Sequence, residues 1–289
     1  MTQPTPAPQN KGEASYFIDP ENAAEMGRLL NQDQLVTEEM GGLFPERSND
    51  FSGIQRILDL GCGPGGWAQE VAFAHPDIEV VGVDISQAMI DYANMQAQVQ
   101  GLDNAHFRVM DITQPLDFPD HTFDMVTARF ITFLPRAAWS HLMQECKRIT
   151  RPGGIVRLTE QEWWCFSTSA ALEKMNEMIC QFIKMQGGFS QTGRFTGVLP
   201  TLKSLVEEAG CKDVRLVPHV IDYSAGTKAH FGFAKDAQVL FQLFQPAIVH
   251  AGITTKQEIE QLYEQMQFDM MQDDFRGIWL LLTAWGEKQ

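Results

Sequence analysis

The residues best suited to chemistry gather in Ile57-Leu58-Asp59-Leu60-Gly61-Cys62-Gly63-Pro64-Gly65-Gly66, where an apolar run gives way to a glycine-rich turn and then, from Trp67, to a helical pattern. Side chains in such a turn would block the close approach of backbone to a ligand, and a tight strand-to-helix bend calls for unusual backbone angles. The stretch therefore reads as a cradle for a nucleotide cofactor. Gly61, Gly63 and Gly66 also satisfy the loose GxGxxG pattern of dinucleotide enzymes, so hydride transfer with a nicotinamide cofactor is one reading of these residues. A second acidic point follows where the apolar run Ile78 to Val83 ends at Asp84. In an open parallel sheet the ligand lies beyond the carboxyl ends of the strands, where a carboxylate can accept hydrogen bonds from two ribose hydroxyls. The plainer role for Asp84 is a solvated turn residue; its register with the glycine loop favours the ligand role.

Asp59 stands two residues before the first glycine and completes Asp-Leu-Gly-Cys-Gly-Pro-Gly, and three further segments follow at matching spacing. On these residues the sequence resembles the class I S-adenosylmethionine-dependent methyltransferases, nearest in character to the small-molecule enzymes of quinone and natural-product biosynthesis. The matched motifs span about Ile54 to Gly154. The resemblance implies an α/β fold with a Rossmann-like seven-stranded sheet, mostly parallel with the last strand antiparallel. It implies S-adenosyl-L-methionine as cofactor and S-adenosyl-L-homocysteine as its product. By the same resemblance Asp59, Gly61, Gly63, Gly65, Asp84 and Ile85 belong to the cofactor site. Asp111 would accept a hydrogen bond from the adenine amino group, with the backbone of Ile112 near the ring. Arg129 would meet the methionine carboxylate or an acidic group of the acceptor, or else make a surface or helix-terminal contact. The hydride-transfer reading leaves Asp59, Asp111 and the turn Arg151-Pro152-Gly153-Gly154 unexplained and ranks below this one.

The elements that must position these residues follow from hydrophobic periodicity. After the first strand and its glycine turn, Trp67 to Ala74 form a crossover helix, Ile78 to Val83 a strand, and Gln87 to Val99 a helix with Ser86 as N-cap. Phe107 to Met110 and Phe123 to Ala128 are further strands, with Asp117, Asp120 and Asp124 as turn and cap residues. A helix from about Ala137 to Ile149 leads into the fifth strand, Ile155 to Thr159. Val214 to Tyr223 and Gly277 to Trp285 would close the sheet as an antiparallel pair, with a helix from Leu199 to Ala209 before them. Upstream, Glu21 to Met40 fits an amphipathic helix broken near Asn31, and Gly41-Gly42 ends it. The expected organisation is a mobile tail over 1–14, an N-terminal helical cap over 15–50 and a methyltransferase domain over 51–289. Helical insertions interrupt that domain at about 160–198 and 226–273.

The second insertion lies between the last two strands, a connection that is normally a short hairpin loop. Because the sixth strand ends at the ligand edge, its two helices, Lys228 to His250 and Thr254 to Gln272, should form a lid. Their Phe and Met residues suit an apolar acceptor or simply a core between lid and sheet. Phe130, Phe133, Trp163 and Trp164 emerge at the same edge and are candidates to line the acceptor pocket, with ordinary packing as the alternative. Tyr16 and Phe17 are further aromatics that could face the ligand. Methyl transfer to a hydroxyl or protonated amine gains from a general base within hydrogen-bond reach. Glu160, Glu162 and Tyr223 lie at the correct edge for that role; His141, His219, His230 and His250 are weaker alternatives. A cofactor-retaining fold that catalyses a cyclisation, or serves as a binding subunit, is a separate reading.

The formal net charge of -15 over 289 residues opposes binding to nucleic-acid backbones and anionic membranes. A small-molecule acceptor is the partner that the resemblance implies. Five cysteines with no CxxC pair suggest neither a disulfide framework nor a zinc site, and no metal is expected. No apolar run approaches a membrane span, so a soluble cytoplasmic protein is expected.

Overall fold

A computed structural model describes Ile18 and residues 23–289, apart from the side chains of residues 163–165. Residues 1–14, Tyr16 and Phe17 lie outside the described residues, as do the side chains of Trp163 and Trp164. The chain opens with helix α1 (Ala23–Met40) and continues through β1 (Arg56–Leu60), α2 (Gly66–Ala74), β2 (Glu79–Asp84), α3 (Gln87–Gln100), β3 (Ala105–Val109) and β4 (Phe123–Arg129). It then runs through α4 (Arg136–Ile149), β5 (Thr150–Ser167), α5 (Ala170–Met185), α6 (Leu202–Glu208) and β6 (Cys211–Asp222) to α7 (His230–His250), α8 (Lys256–Met270) and β7 (Gly277–Lys288).

The strands form one seven-stranded sheet in the order β3-β2-β1-β4-β5-β7-β6. β3, β2, β1, β4 and β5 pair in parallel, and β7 inserts antiparallel between β5 and β6. Parallel strands covered on both faces must be apolar throughout, and β4 is buried from Phe123 to Ala128. On one face, Trp67, Val71, Ile90 and Ala93 of α2 and α3 pack on Ile57, Val80 and Met125. On the other, Trp139, Leu142, Leu205 and Val206 of α4 and α6 cover Leu58, Val81, Val126 and Val156. A third core joins α1, α5, α7 and α8 to the ligand-side reaches of β6 and β7, through residues such as Leu172, Phe233, Phe241, Met266, Trp279 and Leu281.

The connection between β6 and β7 holds α7 and α8, and α5 follows β5, so both helical insertions rise from the carboxyl edge of the sheet. Asp124 lies inside β4 rather than in a turn, where one carboxylate oxygen accepts the N–H groups of Gln55 (2.6 Å) and Arg56 (2.8 Å) and fixes the entry to β1. β5 is far longer than the five residues that periodicity marks. Its pairing with β7 continues to Ser167 opposite Gly277, and the Arg151-Pro152-Gly153-Gly154 segment is absorbed at a register shift against β4. The long β5-β7 ribbon carries Glu160, Gln161 and Glu162 under the lid.

Helix α1 also departs from expectation. It is continuous through Asn31, and its most deeply buried side chains are Glu25, Arg28, Gln32, Val36, Thr37 and Met40, while Ala24 is exposed. Its inward face is polar because it faces charged partners, described next, rather than an oily sheet.

Candidate functional site

A cleft opens at the carboxyl ends of β1, β2 and β4, roofed by α1 and α7. Its floor is the glycine turn. Gly63 sits at φ 53° and Gly65 at φ 80°, backbone conformations that glycine reaches without strain. A side chain at Gly65 would also strike the Phe107 ring, 2.7 Å from where its Cβ would stand. Gly65 caps α2 and lies outside the cleft lining, whereas Gly61 and Gly63 line it. Asp59 is buried beneath the turn and is likewise not part of the lining. Burial pushes its carboxyl up to about 7, against the pull of Arg129.

Asp84, at the end of β2, accepts the Gly63 N–H on Oδ2 (3.0 Å) and the Ser86 N–H on Oδ1 (2.9 Å). Its carboxylate therefore ties the glycine turn to the start of α3, where Ser86 caps the helix through Met89 N–H. Burial raises its pKa and those amide bonds oppose the rise. Asp111 follows β3 and accepts both Thr113 N–H (2.9 Å) and Thr113 Oγ1–H (2.7 Å) on a single oxygen, which leaves Oδ2 available. Asp84, Ile85, Asp111 and Ile112 all line the cleft together with Gly61 and Gly63. A bend poor in side chains and flanked by two carboxylates with spare acceptor capacity is what a nucleoside requires, so the residues fit an adenosyl group.

The opposite wall carries a charged framework supplied by α1. Arg129, at the end of β4, donates to Asp33 (2.5 Å) and Thr37 (3.1 Å). Asp33 in turn sits against the start of α2; a Cβ at Gly66 would lie 2.6 Å from its carboxylate. Burial raises the Asp33 pKa, while Arg129 and the Trp67 backbone N–H lower it. One turn away, Arg28 grips Glu25 through two 2.7 Å bonds and reaches Asp236 of α7 at 2.9 Å, and Gln32 also donates to Asp236 (3.3 Å). Burial pushes Asp236 up to about 6 in spite of Arg28.

The segment after β4 supplies part of the cleft lining. Phe130 is held at φ 59°, a strained angle for a side-chain-bearing residue, with its N–H donated to the Thr159 carbonyl (3.0 Å) and its ring stacked on Trp279 (5.7 Å). Phe133 stacks on Phe244 of α7 (5.9 Å). Both phenylalanines line the cleft, with Ile131, Leu134, Leu240 and Gln161.

None of the three expected general bases lines this cleft. Glu160 and Glu162 fall on the far side of β5, because successive side chains alternate across a strand. Glu160, fully buried, accepts the Ile131 N–H (2.8 Å), and desolvation pushes its carboxyl up to about 8. Glu162 accepts the Thr196 N–H (2.6 Å) and secures the loop before α6. Tyr223 is wholly buried and stacks on Phe233 (3.9 Å) in the core beneath the lid. These are supporting side chains; the one they flank, Gln161, faces the cleft.

Sequence reading missed Arg28, Gln32, Asp33, Met89 and Gln161 among the lining. A signal existed for the first of these: Glu25, Arg28 and Gln32 recur at helical spacing on one face of α1. Among the described residues no group of three or more His, Cys, Asp or Glu side chains is placed to hold a metal ion, and no helix is long and apolar enough to cross a membrane.

Comparison with known proteins agrees with this geometry. A family profile described as "Methyltransferase domain" matches residues 57–154, from β1 through the turn inside β5. The chain is 29% identical over 195 residues to 27-O-demethylrifamycin SV methyltransferase of Amycolatopsis mediterranei, covering 62% of this chain and 66% of that one. It is 25% identical over 192 residues to demethylmenaquinone methyltransferase of Geobacillus kaustophilus, covering 63% and 80%. In fold it is similar to Haemonchus contortus phosphoethanolamine N-methyltransferase 2, solved with phosphomonomethylethanolamine and S-adenosylhomocysteine. That likeness has a TM-score of 0.53 at 16% identity over 94% of this chain and 61% of the other. With the glycine turn, the strand-end aspartates and the closing antiparallel strand in place, residues 57–154 form a methyltransferase domain of the class I S-adenosylmethionine-dependent kind.

Proposed function

We propose that the protein transfers a methyl group from S-adenosylmethionine to a small, predominantly apolar acceptor bound under the α7-α8 lid. The observation that carries this reading is that Gly61, Gly63, Asp84 and Asp111 share one cleft with Phe130, Phe133 and Leu240. One limb suits a nucleoside and the other an apolar molecule. The curated relatives are named for a demethylrifamycin and a demethylmenaquinone, which supports a small-molecule acceptor.

Bound S-adenosylmethionine supplies a methyl group already activated on a sulfonium. What falls to the protein is placement. Asp84 holds the ribose, Asp111 the adenine edge, and the glycine turn lets the backbone come close. Arg129 and Asp33 offer opposite charges to the carboxylate and ammonium of the methionyl end. Phe130 and Phe133, fixed by stacking on Trp279 and Phe244, set the acceptor against the methyl carbon and exclude water. Alignment of this kind can contribute about 7 to 11 kcal/mol to lowering a barrier. With Glu160, Glu162 and Tyr223 outside the cleft lining, the reading assigns catalysis to placement and to no general base.

The test is calorimetric titration with S-adenosylmethionine, S-adenosylhomocysteine and NADH, followed by mass spectrometry of phenol and hydroquinone acceptors incubated with the protein and S-adenosylmethionine. Binding of the first two compounds and a product heavier by one methyl group are expected. Preference for NADH, or conversion of an acceptor with no gain in mass, overturns the reading, the second in favour of a cyclase-like use of the fold.

A further inference from the structure

Among the described side chains of β5 beyond Thr159, Gln161 is the one that joins the cleft lining, and it is 3% exposed. Its Oε1 is buried and accepts no hydrogen bond among the described residues. Buried carbonyl oxygens are almost always satisfied, so an amide left open at the wall of a cavity points to a partner that arrives with a ligand. The same lining includes the apolar side chains of Phe130, Ile131, Phe133, Leu134 and Leu240.

The charges nearby are already matched. Arg28 is paired with Glu25 and Asp236, and Arg129, held by Asp33 and Thr37, is assigned above to the carboxylate of the cofactor, so neither guanidinium is left over for an anionic acceptor. The remaining lining carboxylates, Asp33, Asp84 and Asp111, are acidic, and an anionic acceptor would be repelled by them in a site screened from water. A cationic acceptor would meet the sulfonium of the cofactor. An uncharged molecule bearing a hydrogen-bond donor satisfies every one of these constraints.

We infer that Gln161 is the acceptor-binding residue, its Oε1 accepting the hydrogen bond of a neutral hydroxyl on an otherwise apolar, ring-sized acceptor that packs on Phe130 and Phe133. This inference rests on the methyl-transfer reading above and narrows its substrate to uncharged hydroxyl compounds. The hydrogen bond directs one oxygen lone pair away from the amide and toward the methyl carbon: as the oxygen–methyl bond forms, the methyl–sulfur bond breaks, its electron pair stays on sulfur in the departing S-adenosylhomocysteine, and the hydroxyl proton is released to water. The amide selects against acceptors that carry a carboxylate or phosphate there.

The experiment measures binding of three probes of one size, 1-naphthol, 1-methylnaphthalene and 1-naphthoate, to the protein saturated with S-adenosylhomocysteine. It uses the natural chain, Gln161→Leu and Gln161→Glu. In the natural chain 1-naphthol should bind about five- to tenfold more tightly than 1-methylnaphthalene, the margin of one neutral hydrogen bond, with 1-naphthoate weakest. In Gln161→Leu the naphthol preference should vanish while 1-methylnaphthalene and S-adenosylhomocysteine bind as before. Gln161→Glu keeps an acceptor oxygen and should retain the preference, which separates a lost contact from a collapsed pocket. The inference is overturned if the preference survives in Gln161→Leu, if 1-naphthoate binds best, or if 1-naphthol does not bind. Loss of S-adenosylhomocysteine binding in the natural chain would instead sink the methyl-transfer reading itself.

Discussion

Each oxygen of the Asp84 carboxylate accepts one backbone N–H, from Gly63 and from Ser86, so this side chain shapes the glycine turn as well as facing the cleft. Asp84→Ala should therefore weaken S-adenosylhomocysteine binding by about a hundredfold and Asp84→Asn by about tenfold, as charge-assisted and then neutral hydrogen bonds are lost. Calorimetry on variants with unchanged circular dichroism checks both. Glu160 makes a different prediction. Burial lifts its carboxyl from the ordinary range to about 8, so between roughly pH 4.5 and 8 the folded chain keeps a proton that the unfolded chain has released. Stability from this group consequently falls as pH rises through that interval and levels off above it. Glu160→Gln keeps an acceptor for the Ile131 N–H and removes the titration. Denaturant melts should find it close to the natural chain at pH 5 and more stable by a few kcal/mol at pH 8.5; equal stabilities at both pH values would contradict the burial argument. At this scale the sequence is legible where a residue type coincides with a strand end, as at Asp84 and Asp111. It is opaque at Gln161, because whether an amide is satisfied depends on neighbours brought in from α7 and from the segment after β4.

At the scale of elements, α1 and α7 meet over the cleft through a shared apolar core and a set of buried charges. Arg28 stands between Glu25 and Asp236, all three almost wholly buried. A buried ion pair contributes little net stability compared with a well-packed apolar replacement, yet removing one member leaves the others badly placed, at a cost of about 3 to 5 kcal/mol. Arg28→Met should lower unfolding stability by that amount and speed amide exchange in α7, whereas Asp236→Asn, which keeps a hydrogen-bond acceptor for Arg28, should cost about 1 kcal/mol or less. Urea denaturation with hydrogen-exchange mass spectrometry distinguishes the two; rapid exchange confined to α8 would place the closing contact elsewhere. Hydrophobic periodicity recovers the parallel strands and their crossover helices because those elements bury apolar stripes. It misjudges α1, whose inner stripe is Glu25, Arg28 and Gln32, because a polar face turned inward looks the same in sequence as one turned to water. It also truncates β5, since the reach from Glu160 to Ser167 is held by backbone pairing with β7, which leaves no pattern of its own in composition.

Over the whole molecule, the cleft draws on α1, the turn after β1, the ends of β2 and β4 and the residue after β3, so a ligand seated there ties together parts of the chain far apart in sequence. Binding to the folded state alone stabilises it by mass action, about 2.7 kcal/mol at a ligand concentration one hundred times Kd. For a chain of this size each kcal/mol moves Tm by roughly 2 °C, so S-adenosylhomocysteine at that concentration should raise Tm by about 5 °C. The increment should shrink in Asp84→Ala with the logarithm of the lost affinity, to under about 1 °C for a hundredfold loss, and persist in Gln161→Leu, because Gln161 is assigned to the acceptor. NADH at the same concentration should leave Tm unchanged. The glycine pattern and the acid at the end of β2 are common to both cofactor classes and do not separate them; the acid after β3 and the α1 carboxylate beside the turn do. A rise with NADH as large as that with S-adenosylhomocysteine would mean that the cleft recognises little more than an adenosine, and the assignment of its second limb to a methyl acceptor would lose its support.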